Sequence, residues 1–247
     1  MAGDIEIREC TTLEEMGECV QLQREVFALP ESELSPVRHL VVTKNAGGWS
    51  LGAFDPDTSG LAGFVLSVPA FSQGERAFYS HMTAVRPEYQ SHGIGARLKW
   101  AQRARALSEG VTSIKWTFEP IKARNAFFNL EKLGAVVYEF RNNFYGTDYA
   151  ASTQVGLASD RLFAEWHLND EKVAALSRSE QYLEPRKPAA MIEIMNDWIG
   201  LVQADPEAAL KEQARIRGEF QEAFADGLVC RGFLRDEARP QFLLYHD

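Results

Sequence analysis

Residues Val85 to Leu98 join a strand end, a proline turn and a glycine-flanked helix start, and this succession constrains the fold more than any other part of the sequence. An apolar strand pattern ends at Val85, Pro87 lies in the turn, and Gly93 and Gly95 open the helix. Backbone N–H groups at a helix start lack helical partners, and the helix dipole adds positive charge there. Glycines allow a ligand to approach the backbone closely. The stretch therefore predicts an anion site, suited to a diphosphate, on a strand–turn–helix unit.

The rest of the first two-thirds alternates between strand and helix patterns. Thr12 and Glu15 form a capping box for a first helix, and Ser35 and Pro36 predict the N-cap and first position of a second. Strands are predicted over residues 5–10, 49–54, 61–71, 77–85, 113–118, 135–141 and 160–168, with one helix after Gly95 and another over 124–133. This rhythm predicts an α/β (α+β) fold with a mixed sheet.

The pattern changes after residue 168, and we expect a core over residues 1–168 with a C-terminal α/β extension over 169–247. The extension holds a helix that Asp205 and Pro206 open, then a terminal hairpin over 228–234 and 241–245. We predict one apolar face of that helix, formed by Leu210, Ala214, Phe220 and Phe224. We favour a packing role for the extension. Three alternatives stay open: it could cover the acceptor pocket, extend the sheet, or form a homodimer contact.

Composition and charge exclude several classes of protein. The chain has 247 residues and a formal net charge of −9, which argues against a nucleic-acid partner. Cys10, Cys19 and Cys230 are too few and too scattered for a disulfide framework or a zinc site, so we expect reduced thiols and no metal. No apolar run reaches membrane-spanning length, and residues 1–4 lack the apolar core of a signal peptide. We expect a cytoplasmic protein without a membrane partner.

The helix start resembles the diphosphate loop of the GNAT acetyltransferase superfamily, written Arg/Gln-x-x-Gly-x-Gly/Ala. That resemblance, which covers about residues 5–168, implies a mixed, mostly antiparallel central sheet flanked by helices, with acetyl-CoA or another acyl-CoA as co-substrate. The loop residues implied to bind it are Gln90, Ser91, His92, Gly93, Ile94, Gly95 and Ala96. A glycine turn that merely caps a helix is the alternative.

A second resemblance lies in residues 125–135, which are similar to the helix after the fifth strand of that superfamily. It implies that Asn125 and Asn129 contact the pantetheine arm, although Asn125 is also a plausible helix N-terminal residue. The tyrosine that protonates the leaving thiolate in many members falls at Leu130. Tyr145 is therefore the nearest replacement acid, with a core tyrosine as the alternative. Other segments, such as Ser80-His81-Met82, resemble a branch of predicted acetyltransferases.

The superfamily usually transfers the acyl group directly to a neutral amine, with a backbone N–H meeting the thioester oxygen. The resemblance places that donor between Thr83 and Val85. His81 is the best candidate base because its ordinary pKa suits neutral pH; a hydrogen-bonded sheet histidine is the alternative. Glu119, at the next strand end, is a second candidate base or amine-binding group, or else a structural turn residue.

These observations predict an acyltransferase acting on the amine of a small molecule or an amino-acid-like acceptor. A CoA-binding protein with little catalysis is the alternative, and a structural protein on the same scaffold, without CoA affinity, is a third. For the adjacent Asp160 and Arg161 we favour an internal ion pair over a substrate contact.

Overall fold

The computed structural model describes residues 5–27, 29–58, 60–147 and 157–247. The chain forms two compact units, Met1–Lys115 and Trp116–Asp247. This division falls inside a strand, and the core boundary predicted after residue 168 stays a prediction.

The first unit is built on a sheet in which most neighbours are antiparallel. Its strands are β1 (Glu6–Glu9), β2 (Trp49–Phe54), β3 (Leu61–Ser72), β4 (Glu75–Val85) and the beginning of β5 (Ser113–Phe118). They lie in the order β1-β2-β3-β4-β5. The first three pairs are antiparallel and β4 runs parallel to β5, which confirms the predicted mixed sheet.

Three longer helices accompany this sheet: α1 (Leu13–Phe27), α2 (Val37–Asn45) and α3 (Ile94–Ser108). The predicted capping box of α1 is confirmed, because the Glu15 N–H donates to Thr12 Oγ1 at 3.2 Å and the Thr12 N–H to Glu15 Oε2 at 3.1 Å. The N-cap predicted at Ser35 is wrong. Helix α2 begins at Val37 and its N-cap is Pro36, without a side-chain cap. The Ser35 hydroxyl is engaged elsewhere, as described below.

The hydrophobic core of the first unit lies between its sheet and the helices α1 and α2. All six residues of β2 and the first seven of β3 are buried, so these strands are continuous apolar runs rather than alternating ones. The cluster includes Met16 and Leu22 of α1, Leu40 of α2 and Phe64 and Leu66 of β3.

The second unit holds a further antiparallel sheet. Its strands are β6 (Val136–Arg141), β7 (Arg161–His167), β8 (Ala190–Glu193), β9 (Leu228–Leu234) and β10 (Gln241–His246), in the order β7-β6-β9-β10-β8. Its helices are α4 (Ala123–Phe127), α5 (Glu171–Ser177), α6 (Trp198–Ala204) and α7 (Pro206–Ala225). The terminal hairpin of β9 and β10 was predicted from the sequence and is confirmed.

Two helix predictions in this unit are wrong in part. The single helix predicted over 124–133 is α4 followed by a π-helix, Phe128–Lys132. The apolar face predicted for α7 is also misplaced, because Leu210 and Ala214 are exposed. The buried face is formed by Ala209, Gln213, Ile216, Phe220 and Ala223. A polar residue, Gln213, belongs to it because its amide bonds the Ala158 backbone N–H and C=O.

Candidate functional site: a helix-start loop and the strand that precedes it

The predicted diphosphate loop is a left-handed turn that leads directly into α3. Ser91 and Gly93 have φ values of +66° and +78°. A Cβ added at Gly93 would meet no heavy atom within 4 Å, so the space beside the backbone is open. The first helical hydrogen bond of α3 runs from the Arg97 N–H to the Gly93 oxygen at 3.0 Å. The N–H groups that precede it, and so face the loop, belong to Ile94, Gly95 and Ala96.

The chemistry of this loop fits an anion. Residues 90–96 contain no acidic side chain, and the exposed side chains of Ser91 and His92 add donors at the rim. Together with the dipole of a 15-residue helix, the outward N–H groups suit a diphosphate.

Two hydrogen bonds fix the loop from its strand side. Gln90 Nε2 donates to the Val85 oxygen at 3.0 Å. The Tyr89 hydroxyl donates to the Asp55 carboxylate in the β2–β3 connection, and this bond lowers the pKa of Asp55 and raises that of Tyr89. Sequence reasoning missed this anchor, because the two residues are 34 positions apart and neither belongs to a motif.

The strand edge of β4 that faces away from β3 leads into the loop. Within the first unit, β4 pairs with β5 at Phe78 and Tyr79. The Arg86 N–H donates to the Ala62 oxygen of β3 at 2.9 Å. Because N–H directions alternate along a strand, those of Thr83 and Val85 point away from β3. The two predicted backbone donors therefore lie on the same edge of β4.

His81 is the extra residue of a β-bulge. Ser67 of β3 faces Ser80 and Leu66 faces Met82, so His81 has no direct partner and projects with exposed surface. Its Nε2 lies 3.2 Å from Ser35 Oγ, and the ring of His39 meets its own edge-on at 5.9 Å between centroids.

The environment of His81 favours the neutral ring. Partial burial lowers the pKa of His81, and repulsion from His39 lowers it further. Ser35 is itself held by Gln23, whose Oε1 accepts from the Ser35 N–H at 2.8 Å and whose Nε2 donates to the Ser35 oxygen at 3.0 Å. Sequence reasoning found His81 but missed these three partners, which come from α1, α2 and the segment between them.

In the second unit, Glu119 and Tyr145 both lie beside Arg161. Glu119 Oε1 is 3.8 Å from an Arg161 nitrogen and 2.9 Å from Lys122 Nζ. The Arg161 guanidinium lies 5.1 Å from the centre of the Tyr145 ring, whose hydroxyl is 3.4 Å from Thr117 Oγ1. A cavity of about 10 Å³ adjoins Glu119 and Arg161, with room for one water-sized group.

The ion pair favoured between Asp160 and Arg161 is wrong. Asp160 accepts two hydrogen bonds from Arg217, at 3.0 and 3.2 Å, while Arg161 donates to the Asp160 backbone oxygen at 2.9 Å. Arg217 belongs to α7, so the buried carboxylate is neutralised from the C-terminal extension.

The two asparagines predicted to contact pantetheine have different environments. Asn129 is buried, and its Oδ1 accepts from Trp116 Nε1 at 3.2 Å. Asn125 is exposed on α4. Leu130, at the position of the superfamily tyrosine, is fully buried. The binding and catalytic roles of all these side chains stay predictions.

Three further observations bear on the chemistry. Within the described ranges, no cluster of three or more His, Cys, Asp or Glu side chains is arranged to hold a metal ion. Cys10, Cys19 and Cys230 are free and buried. Among the same residues, no helix combines the length and apolar character needed to cross a membrane.

Solved structures with a similar fold include acetyltransferases. The chain resembles aminoglycoside 6'-acetyltransferase type Ii, with 17% identity, 67% of this chain and 99% of that chain covered, and a TM-score of 0.53. It also resembles the ribosomal-protein-S18-alanine N-acetyltransferase from Escherichia coli, with 17% identity, coverage of 68% and 97%, and a TM-score of 0.51. A third similar structure is a GNAT family acetyltransferase from Elizabethkingia anophelis with acetyl-CoA bound. Its sequence identity is 15%, the match covers 67% of this chain and 99% of that chain, and the TM-score is 0.51. No curated protein matches the chain.

At these identities the structural likeness establishes the fold and confirms the predicted mixed, mostly antiparallel sheet flanked by helices. The sequence supplies the family, because residues 16–135, which include the helix-start loop and β4, match the model of the Acetyltransferase (GNAT) family. Residues 16–135 of the chain are therefore a GNAT acetyltransferase family domain.

Proposed function

We propose that the protein is an N-acyltransferase that moves an acetyl or other acyl group from acyl-CoA to the amine of a small or amino-acid-like acceptor. The observation that supports the proposal is that the α3 start and the edge of β4 that faces away from β3 belong to one compact unit. The loop supplies N–H groups for a diphosphate, and the strand edge supplies N–H groups for the extended arm and the thioester oxygen.

The proposed reaction is direct transfer. The neutral amine attacks the thioester carbon and loses a proton to His81, while the carbon–sulfur bond breaks and the thiolate leaves. The products are an amide and free CoA: Tyr145 gives its proton to the thiolate and regains one from solvent, and His81 releases its proton to solvent. The Thr83 or Val85 N–H stabilises the charge that develops on the thioester oxygen. Glu119 is the alternative base or an amine-binding group.

The acceptor class follows from the chain's own charge and from its relatives. A net charge of −9 suits an amine better than a nucleic acid. Two proteins of the same fold are named for an aminoglycoside and for an alanine of a ribosomal protein, both of which can present an amine. We also propose that the protein is cytoplasmic and that it forms a homodimer. Light scattering of the purified protein tests the homodimer.

A CoA-binding protein with little catalysis is the second candidate, and buried Leu130 at the position of the superfamily tyrosine favours it. Release of free thiol from acetyl-CoA, measured with a panel of amino acids, polyamines, aminoglycosides and short peptides, separates the two. If the protein is an acyltransferase, we expect thiol release that depends on the amine. His81→Ala should lower the rate of that release at least tenfold without weakening CoA binding. Tight CoA binding without release for any amine would favour the second candidate instead.

A further inference from the structure

A buried polar cluster joins α3 to the two central strands of the first unit. Lys99 Nζ donates to Gln102 Oε1 at 2.6 Å and to Ser80 Oγ at 3.0 Å. Gln102 Nε2 donates to Ser67 Oγ at 2.8 Å and to Ser80 Oγ at 3.1 Å. All four side chains are buried, with Lys99 only 3% exposed. Neither the predicted loop nor the predicted base uses any of them.

The cluster lies at the step where the register of β3 and β4 shifts. Ser67 and Ser80 face each other across β3 and β4, and the bulge at His81 begins immediately after them. Gln102 thus bridges the two hydroxyls at the point where the bulge begins, and Lys99 braces the bridge from one turn earlier in the same helix.

We propose that Lys99 and Gln102 are positioning residues that fix the bulge of β4, and through it the His81 ring and the Thr83 N–H. This inference rests on the acyltransferase function proposed above. It assigns to α3 two tasks, because the start of the helix presents N–H groups to a diphosphate while its second and third turns hold the strand that faces the thioester.

The chemistry of the cluster argues against a purely stabilising role. Burial of the Lys99 side chain penalises its charged form and lowers its pKa well below the ordinary value. Replacing both partners of a buried hydrogen bond by apolar groups of similar shape can be nearly neutral or stabilising. The two serine hydroxyls face each other, so they can bond one another if the helix side becomes apolar. A shift of the bulge by one residue would turn His81 to the other face of the sheet.

The test is the double variant Lys99→Met/Gln102→Leu, compared with Lys172→Met. Lys172 is the matched control because it is also a buried lysine, with Nζ donating to a backbone oxygen, that of Arg231, in the other unit. We expect the double variant to keep its melting temperature within about 3 °C of the parent or to raise it. Its Kd for CoA should change less than threefold, while kcat falls at least tenfold. Lys172→Met should leave kcat within twofold.

A folded double variant with parental kcat would overturn the inference. If the double variant does not fold, Ser67→Ala, which removes a single bond of the cluster, should still lower kcat about threefold, and parental kcat there would also overturn it.

Amide and imidazole NMR signals of the protein without ligand give a readout that does not need turnover. The variants should shift the signals of His81 and Thr83, whereas Lys172→Met should not. If the parent protein neither binds CoA nor releases thiol, the proposed function fails. The positioning role is refuted separately if the NMR signals of His81 and Thr83 in the double variant are the same as those in the parent protein.

Discussion

Replacing Gly93 by alanine separates the cost of a strained backbone from the cost of a blocked ligand site, and Gly110 provides the control. Both glycines have positive φ, +78° and +72°, and in both an added Cβ meets no heavy atom within 4 Å. They lie at the two ends of α3, so the helix is common to both variants.

The folding penalty should be the same for the two variants. A left-handed alanine costs about 1–2 kcal/mol. For a chain of this size, each kcal/mol corresponds to about 2–4 °C, so both melting temperatures should fall by about 2–8 °C. Only Gly93→Ala places a methyl group in the open space beside the α3 N–H groups. Loss of even about 1.4 kcal/mol of diphosphate binding would weaken the Kd tenfold.

The assay is calorimetric titration of both variants with CoA, at a temperature well below either melting point. We expect Gly93→Ala to bind at least tenfold more weakly than the parent, and Gly110→Ala to bind like the parent. Equal affinities for the two variants would refute the assignment of the diphosphate to this loop, since strain is matched between them.

Three further predictions concern the catalytic groups. The pKa of His81 lies below its ordinary 6.5, and only the neutral ring accepts a proton, so kcat/KM should fall as the pH drops through a midpoint below 6.5. His39→Asn removes the repulsion and should move that midpoint upward. An unchanged midpoint would show that repulsion from His39 does not lower the pKa of His81. Ser35→Ala removes the 3.2 Å contact with His81 and should lower kcat about tenfold with an unchanged Kd for CoA; a parental kcat would show that His81 needs no orienting group. Tyr145→Phe should lower the rate of thiol release more than Glu119→Gln does, and the reverse order would make the carboxylate the more important group.

The sequence was informative wherever local chemistry decides the structure. Strand β2 has the predicted bounds, 49–54, and β5 has the predicted bounds, 113–118, because turn residues flank both. The capping box of Thr12 and Glu15 was predictable for the same reason.

Features that depend on distant partners could not be predicted. Ser35 reads as a helix cap from its neighbours, yet its hydroxyl meets His81, 46 residues away. The bulge at His81 depends on the register of two strands, which no local pattern encodes. Likewise, Asp160 pairs with Arg217 from a helix 57 residues away and not with the adjacent Arg161, because only the folded chain brings that guanidinium within reach.

The most direct test of the central claim is calorimetric titration of the purified parent protein with acetyl-CoA and with CoA at neutral pH. The account predicts one site per chain with a micromolar Kd for both ligands, since the loop residues 90–96 contact the part that they share. Absence of binding to either ligand would contradict it, and would leave a GNAT fold whose function is not acyl transfer from CoA.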